Sequence, residues 1–194
     1  GIPIFSKSET KSIRLEIEAL EKKFKNGISK KKLEQFFRVN GHFVIPLLAN
    51  LSRSSKILDY IELLLGPNIL VWSVELFIKE PGSSNIVSWH QDLTYWGMGE
   101  TDKEVTAWIA LSNVNIESGC MRFIPKSHNK KILKHEDTFD KDNLLSRGQE
   151  IKGINEEDAI HATLIPGEMS LHHGKCLHAS GMNNSKDRRI GLAI

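Results

Sequence analysis

The sequence predicts a mainly β fold, with helices gathered at the N-terminal end and packed on a double-sheet core. Three observations carry this. Helical periodicity is confined to roughly residues 6–66. Short runs rich in β-formers, separated by Gly and Pro turns, fill about 67–194. No strand–helix alternation, glycine-rich phosphate loop or internal repeat accompanies them, which removes the doubly wound and solenoid classes. The 194 residues suit a single domain with a sizeable core.

In chain order, 6–25 reads as an amphipathic helix, with Ile13, Ile17, Leu20 and Phe24 on one stripe and Gly27 as its stop. Residues 31–39 form a shorter helical candidate. Residues 54–65 form a better one, with Ser54 or Ser55 as cap and Gly66-Pro67 as terminator. Strands are expected at 69–79, 86–90, 105–111, 121–124, 175–179 and 189–194. Residues 162–165 and 168–172 flank Pro166-Gly167 as a hairpin. The polar stretch 128–158 exceeds ordinary loop length and is expected to form a lid-like insertion over a site.

Bulk properties exclude several function classes. A net charge of +2 is too weak a bias for nucleic acid or an anionic membrane, and Lys30 to Lys32 read as a solvated helix face. No run of apolar residues is long enough to span a bilayer. Two cysteines, Cys120 and Cys176, make no disulfide framework, so a cytoplasmic setting and buried, inert thiols are expected.

The chemistry centres on His90, Asp92 and the distant His178. Residues two apart in a strand share a face, so His90 and Asp92 can reach one ion while Gln91 turns away. Alone, His-x-Asp is equally what a surface histidine beside an aspartate gives. With His178 the set becomes two imidazoles and one carboxylate, the donors of a facial Fe(II) site whose opposite face stays open. Eleven residues after His178 stands Arg189, whose planar fork can hold a distal carboxylate. Ser180 can add a hydroxyl, so the group forms a site for a metal-chelating keto acid. Of the adjacent pair, Arg189 is expected inside and Arg188 in solvent. A zinc reading of His172, His173, Cys176 and His178 fails for want of a closed N/S set. His172 and His173 are then core or supporting groups. His128 is expected to close a structural hydrogen bond. Arg147 and Gln149 can either meet substrate or cap a turn. Trp72, Trp89, Tyr95 and Trp96 are expected as core or pocket wall.

The sequence resembles the phytanoyl-CoA dioxygenase family of Fe(II)/2-oxoglutarate-dependent oxygenases. The resemblance runs from about Leu65 to the end. It rests on Lys79-Glu80-Pro81-Gly82, Trp89-His90-Gln91-Asp92-Leu93, Val105-Thr106-Ala107-Trp108, residues 117–128, His172-His173-Gly174, His178-Ala179-Ser180, Asn183 and Arg189. It implies a double-stranded β-helix (jelly-roll, cupin-like) core, with His90, Asp92 and His178 as iron ligands. Arg189, Ser180, Trp108 and Gln91 stand as candidates for holding 2-oxoglutarate. The implied reaction uses Fe(II), 2-oxoglutarate and O2, with ascorbate as a possible reductant, to hydroxylate a small molecule while releasing succinate and CO2. Two departures stand out: the family usually has a strand before the first helix, and this sequence ends soon after Arg189. Both read as a chain clipped at its ends. Two other readings stay open. A halogenase needs the position that Asp92 fills, and a non-catalytic jelly-roll binding protein would keep only a vestigial site.

Overall fold

The computed structural model describes every residue of the chain except Ser29. A two-residue strand β1 (Ile2–Pro3) precedes helix α1 (Lys7–Lys23), so the strand expected to be missing before the first helix is present in short form. Ser6 caps α1 through a capping box with Glu9, and Thr10, Ile13 and Ile17 are buried along its inner stripe. Three further helices follow: α2 (Leu33–Arg38), α3 (Pro46–Ser52) and α4 (Ser55–Leu65). Helix α3 carried no strong sequence signal; Pro46 at its start supplies the pre-set φ that opens it.

The core strands are β2 (Glu75–Lys79), β3 (Val87–His90), β4 (Thr106–Ala110), β5 (Met121–Phe123), β6 (Ile160–Ala162), β7 (Glu168–His172), β8 (His178–Ser180) and β9 (Arg189–Ala193), with a short helix α5 (Leu93–Trp96) after β3. They form two antiparallel sheets in the orders β1-β7-β4-β9-β2 and β3-β8-β5-β6. This is a jelly roll: from β2 onward the chain crosses between sheets at every step except β5 to β6, and the sheets face each other across the site. The larger sheet has two distinct faces. Ala107, Ile109, Met169, Ile190 and Leu192 join α1, α2 and α4 in the main apolar cluster. Their neighbours Trp108 and Ala110 point inward, where they pack with Met121 of the opposite sheet. Among the described residues no helix is long and apolar enough to cross a membrane.

Three sequence expectations change. The strand expected over 69–79 is regular only from Glu75, because its sole ladder partner, β9, pairs over Glu75–Lys79. Ile69, Val71 and Val74 instead pack irregularly on the helical layer. Residues 162–165 and 168–172 do not form a hairpin. Strand β6 pairs with β5 in the smaller sheet, whereas β7 pairs with β4 in the larger one. Pro166-Gly167 carries the chain between sheets, with the Gly167 carbonyl accepting from Ile4 and Phe5 and its N–H donating to Ala110. Arg188 is not left to solvent: it holds Glu21 at 2.8 Å and Glu80 at 2.9 Å, tying α1 to the turn after β2.

The stretch 128–158 contains only two short 3-10 turns, at Ser127–Asn129 and Glu156–Asp158. It runs along β3, where Leu144 donates to Ile86 and Ile151 to Trp89. The segment between β8 and β9 is braced by fully buried Asn183, whose amide donates to the carbonyls of Lys79 and Asp187, both at 2.9 Å.

Candidate metal centre

His90 ends β3 and His178 begins β8, and the two are register partners. Their rings therefore meet, with centroids 4.0 Å apart. Asp92 is not in the strand: its backbone is already α-helical (φ −58°, ψ −41°), as the cap of α5. The convergence thus comes from a strand that turns into a helix, not from the strand alternation the sequence suggested. His90 Nε2 lies 3.2 Å and His178 Nε2 3.5 Å from Asp92 Oδ1. One donor atom from each residue falls within 4.8 Å of the others.

Hydrogen bonding fixes what these atoms present. His90 Nδ1 donates to the Ser88 carbonyl at 2.8 Å, and His178 Nδ1 to the Cys176 carbonyl at 2.9 Å. Both Nε2 lone pairs are thereby free and point at the carboxylate. Burial, then the neighbouring His90, push His178 down to about 3, so it is neutral at ordinary pH. Burial acts to raise Asp92, but His178, His172 and His90 outweigh it and hold the carboxyl well below its usual range. Two lone pairs and an anion facing one point repel unless a cation sits among them. Their separations suit cis donors each about 2.1 Å from one ion, which sets such donors roughly 3 Å apart. The donor set therefore fits a metal of the Fe(II) type.

The second carboxylate oxygen is also held. Asp92 Oδ2 lies 3.2 Å from the Thr106 hydroxyl and 3.2 Å from His172 Nε2. His172 thus carries its proton on Nε2, the opposite tautomer to His90 and His178, and orients the carboxylate rather than joining the donor set. Thr106 and His172 are themselves register partners on β4 and β7. The sequence left His172 as a core or supporting group and gave Thr106 no role.

Deeper between the sheets lies a second cluster. Arg189 and Lys79, register partners on β9 and β2, are both buried inside the roll. Burial lowers Arg189 to about 10. Burial, then the adjacent Arg189, push Lys79 down to about 6. Arg189 Nε and Nη2 have no protein partner. Its guanidinium stands 5.5 Å from the Trp108 ring centroid. Gly191 makes that arrangement possible, because a Cβ there would run into the Trp108 ring. Ser180 Oγ accepts from Lys79 Nζ at 2.8 Å. A buried guanidinium beside a buried amine that an arriving anion would protonate, with no carboxylate against either among the described residues, forms a site poised for an anion. Arg38 of α2 adds a third positive charge that pushes Arg189 down, and its own Nη1 is buried without a partner. Lys79 and Arg38 were missed as site residues. Lysine at a strand end reads as solvated; only the register with Arg189 could have flagged it.

Gln91, a candidate from the sequence for holding 2-oxoglutarate, has its side chain engaged elsewhere. Its amide donates to the Lys175 carbonyl at 2.8 Å and accepts from Leu133 N at 2.8 Å, tethering the 128–158 stretch. His128 makes no structural hydrogen bond among the described residues; its ring lies 5.8 Å from that of His173, on a cavity wall. Arg147 stands 3.7 Å from Asp137 and 6.0 Å from the Tyr95 ring, and Gln149 donates to Asp137 at 2.8 Å. Trp89 is buried and donates to Glu156 at 3.0 Å, whereas Trp72 is half exposed. Cys120 and Cys176 are buried free thiols, each raised by burial.

Comparison with known proteins places this geometry. A phytanoyl-CoA dioxygenase family model matches residues 3–191. A probable alpha-ketoglutarate-dependent hypophosphite dioxygenase of Stutzerimonas stutzeri is 31% identical over 172 residues, covering 88% of this chain and 59% of the relative. Human peroxisomal phytanoyl-CoA dioxygenase is 28% identical over 142 residues, covering 71% of this chain and 42% of its own length. The chain thus spans about half the length of these curated relatives. The apo structure of the non-heme monooxygenase ThoJ superposes with a TM-score of 0.85 at 29% identity, covering 100% of this chain and 71% of that one. By the extent of the family match, the chain belongs to the phytanoyl-CoA dioxygenase family.

Proposed function

We propose that the chain is an Fe(II)- and 2-oxoglutarate-dependent dioxygenase that hydroxylates a small molecule. The observation that carries the reading is the pairing of two incomplete clusters. Three metal donors aim at one point, and close by the buried Arg189 fork and the buried Lys79 amine face no carboxylate among the described residues. An iron ion completes the first, and the far carboxylate of a keto acid completes the second. The relatives' names, with alpha-ketoglutarate in one and dioxygenase in both, support the same reading.

In this reading His90, Asp92 and His178 hold the metal on one face, while Thr106 and His172 keep the Asp92 carboxylate from rotating. Fe(II) and 2-oxoglutarate, when bound, supply the redox chemistry by which O2 is reduced. Arg189 takes the distal carboxylate in a forked bond, and Lys79 adds a second charge-assisted contact. Ser180, already bonded to Lys79, supplies a hydroxyl, and Trp108 walls the acid's carbon chain. The two sheets exclude water from the reacting atoms. Substrate, 2-oxoglutarate and O2 go in; hydroxylated substrate, succinate and CO2 come out. One oxygen atom enters the alcohol and the other the new succinate carboxylate. Asp92 fills the ligand position a halogenase would need vacant.

Anaerobic titration of Fe(II)-loaded protein with 2-oxoglutarate, followed by visible absorbance, tests the reading beside His178→Ala and Arg189→Ala. A weak charge-transfer band is expected in the wild type and in neither variant. No band in a folded, iron-loaded wild type would sink the proposal and bring forward a non-catalytic jelly-roll binding protein.

A further inference from the structure

A cavity of about 430 Å3 adjoins the donor cluster at His172 and Phe123, within the roughly 300–1,000 Å3 range of small-molecule sites. Phe123 stacks on His178 at 5.6 Å, so the wall of the cavity is also the flank of the candidate metal centre. Carbon lines most of it, from Leu64 and Leu65 at the end of α4 to Val105 and Leu171. No Lys or Arg lines it. Lys175, which stands near, is already held by Asp102 at 2.7 Å.

One lining group is out of balance. Glu104 reaches in from the segment before β4, and its Oε2 is buried without a hydrogen-bond partner. Burial, then the charge of Asp92, raise its carboxyl to about 8. Glu104 Oε1 lies 3.3 Å from the same Thr106 hydroxyl that stands 3.2 Å from Asp92 Oδ2. A single hydroxyl proton can serve only one of these acids, and beyond that hydroxyl and the Gly174 backbone N–H no cation stands against Glu104 among the described residues. The position is built for this residue: a side chain at Gly174 would collide with the Glu104 carboxyl.

We propose that this cavity is the primary-substrate site and that it takes a small amine with an apolar body, the ammonium held by Glu104. A cation there supplies a partner for the buried Glu104 Oε2 and draws the carboxyl into its charged form. It also places carbons next to the nitrogen one residue away from the metal donors. An anionic substrate would meet two acids and no free cation. A neutral one would leave the buried Glu104 carboxyl without a charged partner. That this cavity delivers substrate to the metal rests on the oxygenase reading; that it binds amines does not.

Isothermal titration calorimetry on metal-free protein at neutral pH tests this, with hexylamine, hexanol and hexanoate as probes. Hexylamine is expected to bind, hexanol at least about tenfold more weakly, and hexanoate not at all. Glu104→Gln, which keeps the side-chain shape, is expected to weaken hexylamine by about tenfold or more and to leave hexanol unchanged. Absence of hexylamine binding, equal or better binding of hexanoate, or indifference to Glu104→Gln would each overturn the proposal. The probe comparison in the wild type stands even if the variant does not fold. These measurements contain no iron. A missing charge-transfer band with intact amine binding would remove the oxygenase reading alone, and the converse would remove only the amine site.

Discussion

Replacing Lys79 with Met should make the protein more stable and its cosubstrate site worse. The amine is fully buried and bonded only to Ser180 Oγ and the Gly181 carbonyl. Burial, then Arg189, take it from an ordinary value of 10.5 down to about 6. Between those values the unfolded chain binds a proton that the folded chain lacks. Folding therefore releases a proton, and stability rises with pH through that window. At pH 7 the cost of stripping the charge amounts to about 4–5 kcal/mol at 1.36 kcal/mol per pH decade. Losing two hydrogen bonds returns about 1–2 kcal/mol of that. Lys79→Met should then gain about 2–4 kcal/mol by urea denaturation, or roughly 5–15 °C in thermal midpoint for a chain of this size. The pH-dependent rise seen in the wild type between about 6 and 10.5 should flatten in the variant. In the anaerobic titration, 2-oxoglutarate should bind about 10–100-fold more weakly, because one charge-assisted contact is gone. A variant less stable than the wild type, or one that binds 2-oxoglutarate unchanged, would refute the argument that Lys79 is held uncharged in wait for an anion.

Two further outcomes follow from the geometry. His172→Phe removes one of the two bonds to Asp92 Oδ2 without touching a donor, and should weaken metal binding about 10–100-fold in a chelator competition while thermal unfolding shows a folded protein. Unchanged affinity would mean that Thr106 alone orients the carboxylate. Gly191→Ala drives a methyl into the Trp108 ring and should cost about 1–3 kcal/mol, with a shift in tryptophan emission as the ring moves; a neutral result would show that Trp108 is free to yield.

The parts of this molecule legible in its sequence are those set by spacing along one segment. His90 and Asp92 share a five-residue motif, His178 and Arg189 lie a short connection apart, and α1 announces itself through Ser6, Glu9 and the Ile13–Ile17 stripe. What could not be read depends on which strand lies beside which. Lys79 acquires meaning only from facing Arg189 across the β2–β9 ladder, and Thr106 only from sitting opposite His172. Asp92 reached the expected place by a different backbone, since a strand ending in a helical turn brings its carboxylate to the ring of His90 as well as an extended one would. Gln91 was drawn into the site by its neighbours, yet three backbone groups, of Lys131, Lys175 and Leu133, take up its amide. The supposed hairpin at Pro166-Gly167 failed because a turn signal says that the chain reverses, not which sheet receives it.

The Asn183 brace gives the molecule a caliper. His178 and Arg189 belong to different sheets, and the segment joining them is pinned to the Lys79 carbonyl at its middle and to the Asp187 carbonyl near its end. The gap between donor triad and guanidinium is therefore fixed by a buried amide that touches neither. In a site that reads a dicarboxylate by its two ends, the choice between a four-carbon and a five-carbon acid becomes a property of that loop. Cosubstrate length would then drift through changes at Asn183 while every residue touching the acid stayed the same.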